Sequence, residues 1–191
     1  SVLIGGGNRH TPTQSVSADA RNRVCAFYAP SKTFNLAGLI GSYHICYNNW
    51  WRDRLEKESS LCHYNSMNVL SMHALIGAYR PEGQAWTDAL CRVLTGNIDF
   101  AVNYIRDRFD GVAVSRPQGT YMLFVDCTEW CARHGKTIED VEKACWDVGA
   151  AVQDGRMFHG KCHIRMNLAL PLTRVQEAFR RMDKYVFNPE V

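Results

Sequence analysis

The chain has 191 residues, 46% hydrophobic, 11% aromatic and 21% charged, a globular balance that excludes disorder. Its 22 basic and 19 acidic residues leave a net charge of +3 with no basic stripe, so composition makes no case for nucleic acid. The longest apolar runs, such as Tyr121 to Val125, are far too short to cross a bilayer, and nothing reads as a signal peptide.

The first residue is Ser1, not methionine, and Val2 to Ile4 reads as a strand, so the start looks like a cut. Gly5-Gly6-Gly7-Asn8 is a turn cluster; no spaced glycines or helix pattern follow it, so it is no dinucleotide fingerprint. A polar stretch from Thr11 to Asn22 leads to an expected strand over Arg23–Ala29, stopped by Pro30, and a second over Ser42–Tyr47. Helices are expected over Trp50–Lys57, Met67–Tyr79 and about Gln84–Phe109. The last puts Trp86, Leu90, Val93 or Leu94, Asn97 or Ile98, and Ala101 on one stripe.

After Gly111 short strands are expected at Val112–Val114, Tyr121–Asp126, Ala150–Gln153 and His163–Leu168. Two helices separate and follow them. Ile138–Asp147 carries a variant capping box of Thr137 and Asp140, and Arg174–Phe187 repeats the device with Thr173 and Gln176. The expected division is residues 1–80, a joining helix over 81–110, and a small α+β part over 111–191.

The eight cysteines, Cys25, Cys46, Cys62, Cys91, Cys127, Cys131, Cys145 and Cys162, form no close CxxC pair. A chain of this length needs no staples, so they read as reduced thiols, mostly buried, in a cytoplasmic protein. Cys127, Cys131 and His134 would share a helix face, but no fourth zinc ligand is apparent, and ordinary thiols are the simpler reading. His73 reads as a packed helical residue, and Arg180, Arg181 and Lys184 as the wet face of the last helix.

The segment Tyr28 to Leu39, YAPSKTFNLAGL, is the most informative. Lysines are usually solvated surface charges. Lys32, however, ends an apolar strand, follows a proline and precedes a glycine-punctuated apolar stretch, a placement expected to hold its amine at the mouth of a cleft. A desolvated lysine amine can form a Schiff base with a carbonyl. On the last strand, Ile164, Met166 and Leu168 alternate with Arg165, Asn167 and Ala169.

Ser31 to Gly38 closely resembles the lysine motif of fold type I pyridoxal-phosphate (PLP) enzymes, in particular the MalY/PatB-like C–S β-lyases and their aminotransferase relatives. The likeness continues through Asn68-Val69-Leu70-Ser71, Ala78-Tyr79, Trp86 with Leu90, the Pro117–Asp126 strand and HIRMNLALP at 163–171. It implies an α/β fold, the C-terminal part of the PLP-dependent transferase-like (aspartate aminotransferase) fold: the end of the large mixed-sheet domain plus a small α+β domain.

The resemblance also implies PLP as cofactor. Lys32 would carry it and act as base at the substrate Cα, Ser31 would contact its phosphate, and Arg165 would grip the substrate α-carboxylate. Ala29 and Ile40 stand where many relatives have a phosphate-binding hydroxyl and arginine. Gly155 and Phe158 match a family turn in which His159 replaces a second glycine. Tyr64 falls where related homodimers reach towards the neighbour's site, though a plain helix-entry loop explains it equally.

The implied activity is that of a cystathionine-β-lyase-type C–S β-lyase, β-elimination from an amino acid to pyruvate, ammonia and a thiol, with an aminotransferase as the alternative and a non-catalytic fragment or interaction module as a second alternative. Members are roughly twice as long as this chain. The N-terminal half would supply the Asp-Glu-Ile-His run, the ring-stacking aromatic and most of the phosphate clasp. Without it the chain is expected to be inactive and to expose apolar surface.

Overall fold

The computed structural model describes residue 5, residues 7–64 and residues 66–189. The strand expected at Val2 to Ile4 lies outside the described residues. The chain divides into two compact units, Ser1–Leu90 and Cys91–Val191, and the helix α4 defined below runs through the division.

In the first unit the polar stretch is not a loop. After a 3-10 turn at Thr13–Ser15, Ser17 caps a short helix α1, Ala18–Arg23, by accepting from the Ala20 amide at 3.0 Å. Asp19 and Arg23 pair one turn apart at 2.9 Å. The following strand β1 is therefore shorter than expected, Cys25–Tyr28, and pairs antiparallel with β2, Tyr43–Cys46, setting Cys25 opposite Cys46 and Tyr28 opposite Tyr43. The buried Gln14 amide donates to the carbonyls of Val24 (2.9 Å) and Ile45 (2.8 Å), tying the polar segment to both strands. Asn48 caps α2, Asn49–Leu61, and Asn68 caps α3, Val69–Ala78.

The helix α4 spans Pro81–Arg108. The second unit continues with β3 (Ala113–Val114), β4 (Met122–Asp126), α5 (Thr128–His134), α6 (Ile138–Asp147), β5 (Gln153–Asp154), β6 (His163–Asn167) and α7 (Leu172–Met182). Its strands form one antiparallel sheet in the order β3-β4-β6-β5. The capping box at Thr137 and Asp140 is present as expected. The one at Thr173 is not: α7 begins earlier, after Pro171, so Thr173 is already inside the helix, which passes into a π-helical turn over Asp183–Phe187. The strand expected at Ala150–Gln153 is reduced to Gln153–Asp154.

Alternation on β4 and β6 sends Leu123, Val125, Ile164 and Met166 into one core with Ile105 of α4, Val141 of α6, and Phe179 and Met182 of α7. The buried Asn97 of α4 donates its amide to the carbonyls of Leu168 and Leu170, both at 2.8 Å, so a polar group inside the stripe is satisfied. Among the described residues every buried hydrophobic side chain of this kind lies between Leu94 and Phe187. The first unit instead packs half-exposed aromatics, while Phe27, Ile40 and Leu70 stand out in solvent.

Asp183 is the acid of the second unit's interior. It accepts from the Tyr104 hydroxyl (2.8 Å), the Arg108 guanidinium (3.1 Å) and the Asn188 amide (2.6 Å). Burial alone would raise its carboxyl. The Asn188, Tyr104 and Arg108 hydrogen bonds outweigh that and hold it below the usual aspartate range. A depressed folded value stabilises above the unfolded value and is lost as pH falls through the folded one. Asp183→Asn is therefore expected to cost about 1–2 kcal/mol at neutral pH. Urea denaturation of the two proteins should converge as pH falls below about 4, and a constant gap down to acid would contradict this.

Candidate active site

Lys32 and Ser31 sit on a turn immediately after β1. The Phe34 amide donates to the Pro30 carbonyl and the Leu36 amide to the Ser31 carbonyl, both at 2.9 Å. Pro30 and Thr33 are buried, Thr33 with 4% exposure, and Asn35 takes a left-handed φ of 53°. The Phe34 ring meets Tyr79 edge-on at 5.7 Å and stacks on Trp86 at 5.9 Å. Tyr43 donates to the Tyr79 hydroxyl at 3.1 Å. Burial, and then that bond, push Tyr79 up to about 12. The turn is thus fixed by contacts that do not involve the lysine side chain. Lys32 itself is exposed, and its amine makes no hydrogen bond or ion pair among the described residues.

Arg165 lies in the second unit, on the solvent-side face of β6, in a cleft of about 610 Å³ that Arg116, Phe124, Asp126, Phe158 and His163 also line. Its guanidinium donates to Gln153 Oε1 at 2.8 Å and lies 4.4 Å from the centre of the Phe158 ring. It has no carboxylate partner among the described residues. Arg116, by contrast, is paired with Asp99 at 2.8 Å. His163 stacks on Phe124 at 4.6 Å, with Nδ1 buried and without a hydrogen-bond partner. Asp126 is held below the usual range, because the Thr128 hydroxyl and amide more than offset its burial.

The sequence singles out Arg165 as a candidate but not its surroundings. The signal was available: the same alternation that exposes Arg165 on β6 places Phe124 on the matching face of β4, directly opposite it.

The turn before β6 closes on the cleft. A Cβ at Gly155 or Gly160 would stand within 3 Å of Phe124 and His163 atoms, so both positions require glycine. His159, where the family motif has glycine, adopts the left-handed conformation itself, at φ 66°. The backbone keeps the glycine geometry and carries the strain. His159→Gly is expected to raise stability by about 0.5–1 kcal/mol, readable as a higher urea midpoint; an unchanged or lower midpoint would contradict it.

The remaining candidates separate cleanly. Tyr64 is 87% exposed. His73 is exposed, not packed. Arg180 and Arg181 are exposed as expected and share Glu177. All eight cysteines are free, but only Cys127, Cys131 and Cys145 are buried. Burial pushes Cys145 up to about 12, and burial with the Cys162 hydrogen bond does the same for Cys131. Among the described residues no group of three or more His, Cys, Asp or Glu could hold a metal, and no helix is long and apolar enough to cross a membrane.

No family model matches the chain. It is 25% identical over 185 residues to cystathionine β-lyase PatB of Bacillus subtilis, covering 95% of this chain and 46% of PatB. It is 30% identical over 180 residues to MalY of Escherichia coli, covering 92% of this chain and 44% of MalY. Among solved structures, a PLP-bound putative aminotransferase from Clostridium difficile matches with a TM-score of 0.85 and 30% identity, over 94% of this chain and 46% of that one.

The chain corresponds to the C-terminal half of the MalY/PatB-like proteins. It has the fold of the C-terminal portion of the fold type I, aspartate aminotransferase-like enzymes. It spans about half the length of the MalY/PatB-like relatives it matches.

Proposed function

We propose that this chain is the lysine-bearing half of a PLP-dependent C–S β-lyase that cleaves a small amino acid such as cystathionine to a thiol, ammonia and pyruvate. The observation that carries the reading is Lys32, an exposed amine with no partner on a turn locked from behind by Thr33, Phe34 and Pro30. The likeness to PatB over nearly the whole chain supports it. The turn fits the cofactor in part. Lys32 is free to hold it covalently and Ser31 offers one hydroxyl, whereas Ala29 and Ile40 are exposed and bring no charge. Most of the phosphate clasp then belongs to an N-terminal half, without which the 191 residues would be nearly inactive.

When bound, PLP supplies an electron-poor ring that takes up the electron pair released at the substrate Cα. Lys32 Nζ would remove that proton as general base. Arg165 would hold the α-carboxylate through a two-pronged hydrogen bond, for which a permanently charged planar fork is suited. The reading includes a homodimer, with Tyr64 as a candidate contact to the neighbouring site, and a cytoplasmic location, which eight free cysteines suit.

A second reading, an aminotransferase, is favoured by the likeness to the Clostridium difficile protein. The experiment is to load the full-length protein with PLP, reduce it with borohydride and map the modified peptide, then assay L-cystathionine for pyruvate and thiol. A phosphopyridoxyl group on Lys32 with pyruvate release supports the lyase. Amino transfer to a keto acid instead would select the second reading, and no adduct would overturn both in favour of a non-catalytic module.

A further inference from the structure

The neutral partner of Arg165 is informative. Arginines in pairs on this surface are neutralised: Arg116 by Asp99, Arg133 by Asp110 and Glu129, Arg156 by Asp154 and Glu139. Arg165 is held differently, although it is only half-exposed. Gln153, its direct cross-strand partner on β5, accepts a single hydrogen bond at one terminal nitrogen, and the Phe158 ring covers one face of the guanidinium. An amide and a ring orient the group without cancelling its charge.

The two holders are themselves braced. The Asp154 amide donates to Glu142 at 2.9 Å, the Phe158 amide to the Gly155 carbonyl at 2.8 Å, and Arg156 pairs with both Asp154 and Glu139 at 2.5 Å. The β5 edge and the turn after it are therefore a rigid mount, and the remaining nitrogens of Arg165 are left for an anion in the cleft.

We infer that Gln153, with Phe158, is a positioning residue for Arg165, and that its neutrality sets the affinity of the cleft for a substrate carboxylate. This rests on the reading of Arg165 as the carboxylate-binding residue. A glutamate at 153 would keep the length and the hydrogen bond but place an internal carboxylate on the guanidinium, in competition with the substrate. A methionine would keep the length and remove only the acceptor.

The test uses the full-length PLP-loaded protein, with KM and kcat for L-cystathionine and the Kd of L-alanine read from the cofactor's absorbance. L-alanine has no leaving group at Cβ, so its Kd reports binding without the elimination step. Gln153→Glu is expected to raise KM and Kd together by about 10- to 100-fold, with kcat nearly unchanged. Gln153→Met should raise them by about 3- to 10-fold. A merely structural role would move the melting temperature and kcat instead.

If Arg165→Ala raises KM while Gln153→Glu leaves it unchanged, the positioning role is wrong and the reading of Arg165 stands. If Arg165→Ala leaves KM and Kd unchanged, both fall.

Discussion

Lys32→Ala in the full-length protein is expected to lower kcat for L-cystathionine by about 10³-fold or more, with the melting temperature of the cofactor-free protein nearly unchanged. The two halves of this expectation have separate causes. Lys32 would serve both as covalent anchor of the cofactor and as base at the substrate Cα, so its removal takes away two contributions at once. The turn is held by Thr33, Phe34, Pro30 and two backbone hydrogen bonds, none of which involves the lysine side chain. An exposed residue without partners contributes within about 0.5 kcal/mol to stability. Lys32→Arg keeps the charge but not the nucleophilic amine, and should be equally inactive. Turnover retained in either variant, with the fold intact, would remove Lys32 from the reaction.

The largest stability effect is expected at Phe179. Its ring is fully buried, meets Phe100 and Tyr104 edge-on at 5.8 and 5.6 Å, and lies parallel to Phe109 at 6.1 Å. Phe109 in turn stacks on Phe187 at 4.3 Å. Truncation would remove the ring that joins α4 to α7 and leave a cavity that two helices and a sheet cannot close. Phe179→Ala should cost about 3–5 kcal/mol, a large fraction of the total for a domain of this size. Phe179→Leu, which refills much of the volume, should cost well under half of that. Guanidinium unfolding measures both, and an alanine variant that loses under about 1 kcal/mol would show that the cluster repacks.

The sequence was most legible where one period governed a long segment. The stripe on α4, the alternation of β6 and the capping box of α6 all stand in the structure as read. It was least legible where a short local device overrode composition. Ser17 turns a polar stretch into α1, and Pro171 starts α7 before Thr173 can cap it. No element is expected between Asp126 and Ile138 beyond a shared face of Cys127, Cys131 and His134, yet α5 forms there and Gly135 closes it at φ 60°. Lys32 and Arg165 are candidates that the motif resemblance alone marks out. The hold on Arg165 was not legible, because Gln153 and Phe158 reach it only through the pairing of β5 with β6 and a turn whose shape depends on Gly155, His159 and Gly160.

The helix α4 begins in a unit whose described residues include none of the buried hydrophobic core and ends in the core of the other. A single helix therefore spans two stabilities. Its amide protons near Trp86 should exchange with solvent through local opening, while those near Val102 and Ile105 should exchange only when the second unit unfolds as a whole. In the 191-residue chain, deuterium uptake along these 28 residues would fall steeply from one end to the other. Addition of an N-terminal half should flatten that gradient from the first end alone, so the slope of exchange along α4 becomes a direct gauge of whether the two halves are joined.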